Sequence, residues 1–182
     1  VLELYPQAKL AIGPAIEDGF YYDFDFGKDK VSEEDLSRIE AKMKELLPSW
    51  SEFKSEEHSV KDIKAMFKDN PYKLELIEEF AQEGQKLTTY TSGNFTDLCR
   101  GGHTLDMKEI KNGSWKLDRL AGAYWRGDEK NKMLTRIYGL AFETKEELAE
   151  YLKNRELAVQ RDHRKLGKEL NLFTFSEYVG PG

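Results

Sequence analysis

From residue 86 onward, apolar, β-branched and aromatic runs alternate with turn residues, and this punctuation constrains the fold more than any other feature of the chain. The runs fall at residues 86–91, 95–99, 115–124 and 133–142, and the breaks are Ser92-Gly93-Asn94, Gly101-Gly102, Asn112-Gly113 and Gly127-Asp128. Glycine and asparagine supply the backbone conformations that reverse a strand, so the spacing predicts an antiparallel sheet.

The first half adds helices. Residues 9–12 and 19–26 read as two short strands joined by a turn region containing Pro14 and Asp18-Gly19, and alternation in the second leaves Asp23 and Asp25 on one face. Ser32-Glu33-Glu34-Asp35 has capping-box character and opens a helix with Leu36, Ile39, Met43, Leu46 and Leu47, ending before Pro48. Residues 59–67 and 72–81 predict two more helices, with Asn70-Pro71 at the boundary and Pro71 near the first helical position. Thr144-Lys145-Glu146-Glu147 repeats the capping spacing and starts a long amphipathic helix to about residue 172. The fold class expected is α+β: an antiparallel sheet packed with helices, followed by a long C-terminal helix.

A chain of 182 residues is long enough to bury a sizeable core. Its net charge of -6 excludes a general basic surface for gripping long nucleic acid, so any RNA contact must be local. The one local excess, Arg161, Arg164, Lys165 and Lys168 on the last helix, reads equally as a solvated face or an RNA contact. A single cysteine excludes an internal disulfide and fits a reducing, cytoplasmic location. No apolar run approaches the roughly 18 residues of a membrane span, so no membrane partner is expected. Val1 at one end and Gly180-Pro181-Gly182 at the other both read as internal to a longer chain.

Candidate chemistry concentrates in Asp97-Leu98-Cys99-Arg100-Gly101-Gly102-His103, where the only cysteine lies four residues from one of three histidines. Two glycines argue against a continuous helix and for a tight turn that brings Cys99 and His103 together, with backbone open to a ligand. A nucleophile, a metal-ligand pair and a polar substrate clamp all satisfy that arrangement. Cys99 can equally be a small buried hydrophobe, Asp97 a turn acceptor and His103 a structural histidine. Tyr124-Trp125-Arg126 reads as an aromatic strand terminus packed on the core, with stacking on an unpaired RNA end as the alternative; Tyr21 and Tyr22 read as packing residues, with at most one of them facing the pocket.

Read in order, Ala11-Ile12-Gly13-Pro14, Gly19-Phe20-Tyr21-Tyr22-Asp23, Pro71-Tyr72-Lys73, the Asp97 to His103 block and Ala121-Gly122-Ala123-Tyr124-Trp125-Arg126-Gly127-Asp128 resemble the second N-terminal domain of bacterial threonyl-tRNA synthetases. Asn131-Lys132-Met133-Leu134-Thr135-Arg136-Ile137-Tyr138-Gly139 and Arg161-Asp162-His163-Arg164-Lys165-Leu166-Gly167-Lys168 extend the likeness over essentially the whole chain. The resemblance implies an editing domain over residues 1–143, a linker helix over 144–172 and the start of a class II catalytic domain over 173–182. It implies hydrolysis of tRNA(Thr) wrongly charged with serine, within a parent enzyme that joins threonine to its tRNA with ATP. Serine lacks only a methyl, and a missing methylene is worth roughly 1–3 kcal/mol of discrimination, so a second site that excludes threonine sterically must supply the rest. The alternative expectation is a non-catalytic module that binds and spaces the tRNA 3′ end.

By that resemblance Lys73, His103 and Asp97 are the catalytic candidates, and Cys99, Asp97 and His103 the substrate-binding ones. Lys73 would orient water or stabilise charge on the ester oxygen; without the resemblance, its place at the start of a helix reads as a solvated lysine. The family's His-x-x-x-His element is expected upstream of Val1, so the fragment alone is expected to be inactive or impaired. Cys99 and His103 are two possible partial metal ligands, short of the three or four a zinc site takes, and His58 and His163 fall in surface contexts. No cofactor is expected in the fragment; ATP, Mg and a catalytic-domain Zn belong to the parent, itself expected to be a homodimer. The partners expected are the serine-bearing 3′ end of tRNA(Thr) and the rest of the synthetase. Gly102 departs from the family, which usually has proline there.

Overall fold

A computed structural model describes residues 1–50, 52–103 and 106–161. Five strands form one antiparallel sheet: β1 (Lys9–Leu10), β2 (Ala15–Ile16), β3 (Gly19–Asp25), β7 (Trp115–Tyr124) and β8 (Met133–Ala141). Its order is β1-β3-β8-β7, with β2 also pairing to β3. A second antiparallel sheet runs β4 (Lys54–Glu57), β5 (Thr88–Ser92), β6 (Phe95–Leu98). Helices α1 (Glu34–Leu46), α2 (Val60–Met66), α3 (Pro71–Gln82) and α4 (Lys145–Gln160) complete an α+β fold. No helix among the described residues is long and apolar enough to cross a membrane.

Two apolar clusters hold these elements. Leu36 and Ile39, three apart on α1, bury against Phe24 and Phe26 of the β3 segment and against Leu117 and Ile137. At the bulge after Leu117, the Glu40 carboxylate accepts the Leu117 N–H at 2.9 Å, so the interrupted ladder leaves that donor satisfied. The second cluster joins the sheets: Ile63 of α2 and Leu76 and Ile77 of α3 meet Leu98 of β6, Leu134 of β8 and Ala11. Helix α3 therefore lies at the seam between the two sheets, and it carries Lys73.

The helix starts differ. At α4, Thr144 Oγ1 accepts the Glu147 N–H at 3.2 Å and Glu147 returns a bond to the Thr144 N–H at 3.1 Å, the expected capping box. At α1 only half of the box forms, since the Ser32 hydroxyl donates to the Asp35 carboxylate instead of capping the backbone. The chain beyond α1 also continues through Pro48 in a short 3-10 turn, Leu47–Ser49. The predicted continuation of α4, its basic residues 164–168, His163 and residues 173–182 lie outside the described residues.

Strands β2 and β4 were not expected. Every residue of β4 (Lys-Ser-Glu-Glu) is exposed, so it carries no apolar alternation. Pairing with β5, from Lys54↔Thr91 to Glu57↔Thr88, makes it a strand.

Candidate active site

Lys73 is placed by the residues just before it. Asn70 Oδ1 accepts the N–H groups of Tyr72 and Lys73 while its Nδ2 donates to the Leu10 carbonyl at 2.8 Å, pinning the α3 N-terminus to β1. Tyr72 donates to Asp25 at 2.7 Å and sets its ring edge-on to Trp125. Burial works to raise the Asp25 carboxyl, but hydrogen bonds from Lys132, Tyr72 and the Gly27 N–H hold it below its ordinary value. The neighbouring Asp23 makes a two-point ion pair with Arg136, at 2.7 and 2.9 Å. Held this way, Lys73 is only 2% exposed. The solvated lysine that its helix-start position invites is corrected: its ammonium meets both Asp97 oxygens, at 2.7 and 2.9 Å.

Asp97 sits in β6, 9% exposed, and is a strand residue rather than a turn acceptor. It accepts from Lys73, from the Tyr22 hydroxyl and from the Leu98 N–H at 2.8 Å, while Lys73 also donates to the Tyr22 oxygen at 3.1 Å. Tyr22, for which packing is the expected role with at most one of Tyr21 and Tyr22 facing the pocket, is the tyrosine that faces it. Burial first, then the charge of Asp97, the hydrogen bond to it and the charges of Cys99 and Asp23 push its phenol well above the usual range, so it remains an O–H donor. Gly13 explains how the ring reaches the cluster: a Cβ there would fall 2.1 Å from the Tyr22 ring. No local signal separates this role from a turn, since Gly13 stands beside Pro14 in the segment joining two strands.

Strand alternation puts Cys99 on the face of Asp97. Its N–H donates to the Thr88 carbonyl at 3.1 Å, and the Thr88 hydroxyl donates to the Cys99 carbonyl at 2.5 Å, extending the ladder past β6. The chain then reverses through Gly101 (φ 102°) and Gly102 (φ 85°) and returns His103 Nε2 to 3.2 Å from Cys99 Sγ. The expected turn between the two glycines is present, and Gly102 carries a further consequence. Proline fixes φ near −65°, so a loop with proline at this position must take another path.

His103 is exposed at one edge, but its ring stacks on Phe53 at 4.2 Å and lies against Tyr90 at 4.7 Å. Desolvation lowers its pKa, favouring the neutral imidazole, whose ring nitrogens act as one donor and one acceptor. The site thus has two halves: a buried Lys73–Asp97–Tyr22 triad, and the accessible pair of Cys99 and His103.

Other candidates settle elsewhere. Trp125 is buried with Nε1 on Glu75 at 2.8 Å, and Arg126, in the left-handed region at φ 59°, pairs with Glu75 and Glu79. That turn is tied to α3, although Tyr124 is exposed. His58 is half-buried, its Nε2 2.8 Å from Thr89 Oγ1, and not in a surface context. Among the described residues no three His, Cys, Asp or Glu side chains are grouped to hold a metal ion. Cys99 and His103 supply two donors, which do not amount to a zinc site. Surface clefts of about 200 and 400 Å³ lie elsewhere and include none of Lys73, Asp97, Cys99 or His103.

Residues 87–138, which contain Asp97, Cys99 and His103, match the family described as the threonyl and alanyl tRNA synthetase second additional domain. Over all 182 residues the chain is 53% identical to the threonine-tRNA ligase of Borrelia hermsii, 52% to that of Borrelia duttonii and 51% to that of Borreliella burgdorferi. It spans 31% of the length of each of these curated relatives. With this likeness running end to end, and the additional-domain match enclosing the Asp97 to His103 block, the chain belongs to the threonyl-tRNA synthetase family and corresponds to the part that carries that second additional domain.

Proposed function

We propose that this region is the editing site of a threonyl-tRNA synthetase and hydrolyses the ester of serine wrongly attached to tRNA(Thr). The observation that carries the reading is the pairing of Cys99 and His103 on the face of Asp97, anchored to Lys73 and Tyr22. A purely structural ion pair does not require an accessible imidazole and thiol at the end of the same strand. In this reading the parent ligates threonine to tRNA(Thr) with ATP in the cytoplasm as a homodimer, and its ATP, Mg and Zn chemistry belongs to residues beyond this chain. Residues 1–143 form the editing unit, 144–172 the linker and 173–182 the entry to the catalytic domain.

The reaction adds water to the ester carbonyl; the bond to the terminal ribose oxygen breaks, that oxygen takes up a proton, and free serine leaves. Neutral His103 holds the substrate by hydrogen bonding at its exposed edge, and Cys99 fixes the imidazole orientation through Nε2. Asp97 presents negative charge to the serine ammonium. Lys73, buried against Asp97, holds that carboxylate in place, and its charge acts from beneath the site on the ester oxygen as it becomes anionic, a contribution that grows in a water-poor site. The histidines of an upstream His-x-x-x-His element complete the water-positioning set. Threonine is excluded because its extra methyl needs volume that a serine-sized site lacks.

The test is deacylation of pre-formed seryl-tRNA(Thr) and threonyl-tRNA(Thr) by the whole synthetase, wild type beside His103→Ala. The reading predicts serine-selective cleavage that falls at least about 100-fold in the variant, the lower range for a lost general acid, base or polarising group. No serine-selective cleavage by the wild type would leave only a tRNA-end binding module, and equal cleavage by both proteins would remove His103 from the site.

A further inference from the structure

We propose that Phe53 and Tyr90 are positioning residues for the deacylation assigned to this site, forming an aromatic clamp that holds the His103 ring toward Cys99. The inference rests on the editing reading above and identifies what makes its histidine productive in this particular chain.

The loop that delivers His103 has little stiffness of its own. Gly101 and Gly102 both take positive φ, and a Cβ added at Gly102 would meet nothing within 4 Å. Glycines retain more conformational freedom than any other residue, and among the described residues nothing would meet a side chain at Gly102. Order at His103 must therefore come from the side chain. Phe53 approaches from the segment leading into β4, its ring 4.2 Å from the imidazole with planes 22° apart. Tyr90 approaches from β5 at 4.7 Å and 57°. Tyr90 also controls the loop itself, since a Cβ on Gly101 would lie 2.9 Å from its hydroxyl. The register pairs Tyr90 with Asp97, so the ring that holds His103 is directly opposite the carboxylate that Lys73 anchors.

The clamp also gives a role to an otherwise unexplained element. β4 is wholly exposed and contributes no core side chain, but its pairing with β5 carries Phe53 to the imidazole. The two rings leave an edge of the imidazole open, as a residue that contacts substrate requires. Among the described residues, the thiol of Cys99 and the phenol of Tyr90 are the titratable groups seen against the ring.

The experiment uses the whole synthetase with seryl-tRNA(Thr) as substrate, in wild type, Phe53→Ala, Phe53→Trp and His103→Ala forms. Each protein is also treated with diethyl pyrocarbonate, and modification of His103 is followed by peptide mass spectrometry. Phe53→Ala is expected to lower the deacylation kcat about three- to ten-fold, the factor corresponding to one lost aromatic pair, with KM little changed. His103 should become several-fold more reactive, and Phe53→Trp, which keeps a ring, should restore both readouts. An unchanged kcat in Phe53→Ala would overturn the clamp, as would a fall without increased His103 reactivity or without rescue by tryptophan. If His103→Ala itself deacylates normally, His103 is no part of the reaction and the clamp falls with it, whereas a wild type that does not deacylate seryl-tRNA(Thr) sinks the editing reading instead.

Discussion

Replacing Lys73 tests whether the buried triad organises the site. The ammonium sits on both oxygens of Asp97, at 2.7 and 2.9 Å, with the two side chains 3% and 12% exposed. Removing one partner of such a pair leaves a carboxylate without its counter-charge in a poorly solvated place, which costs about 3–5 kcal/mol. Lys73→Met isolates that cost because it keeps most of the alkyl stem, whereas Lys73→Ala also loses buried methylenes, each worth about 0.8 kcal/mol. For a chain of this size, about 2–4 °C of Tm per kcal/mol makes the Lys73→Met loss roughly 6–20 °C. Urea unfolding of the 182-residue chain measures it directly, and Lys73→Met/Asp97→Asn should recover much of the stability by removing the orphaned charge. A loss below about 1 kcal/mol for Lys73→Met, the level of a solvated surface pair, would refute the buried triad. The same magnitude makes Lys73→Ala a poor probe of catalysis alone: activity and folding fall together, unlike at the exposed His103.

Gly13→Ala should cost about 1–3 kcal/mol by displacing the Tyr22 ring, as overpacking does, and should cost much less when added to a Tyr22→Ser chain, which has no ring to displace; a neutral Gly13→Ala in urea unfolding contradicts the close approach. His103 should titrate below 6.5 by NMR, because its folded-state pKa is lowered by desolvation. The linked stability is present above the unfolded value of about 6.5 and lost as pH falls below it toward the depressed folded value; a midpoint at or above 6.5 contradicts the stacked placement. Thr144→Ala should destabilise α4 by about 0.5–2 kcal/mol through loss of its capping box, visible as reduced amide protection over residues 145–148; unchanged protection argues against the cap.

The legible parts of this fold were those written in local pattern. Trp115–Tyr124 and the Thr144 box were readable because strand alternation and cap chemistry act over a few residues. The turn joining Cys99 to His103 was readable because two glycines have few other uses there. β4 was not, since its strand state comes from pairing with a partner more than thirty positions away and no apolar period records it. Lys73 shows the limit most clearly: only the tertiary approach of Asp97 and Tyr22 turns a helix-start lysine from solvated to buried. The Phe53 contact with His103 escaped for the same reason, because a single aromatic before a polar strand has no periodic partner in the sequence.

The central claim, that Asp97, Cys99 and His103 form a serine-clearing site, is tested most directly by charging tRNA(Thr) with serine and ATP. The whole synthetase in wild-type and His103→Ala forms is given serine in place of threonine, and the seryl-tRNA(Thr) that accumulates is measured. The account predicts almost none with wild type and steady accumulation with the variant, while both charge threonine equally well. Equal, low accumulation in the two proteins, at equal rates of serine activation, would contradict it.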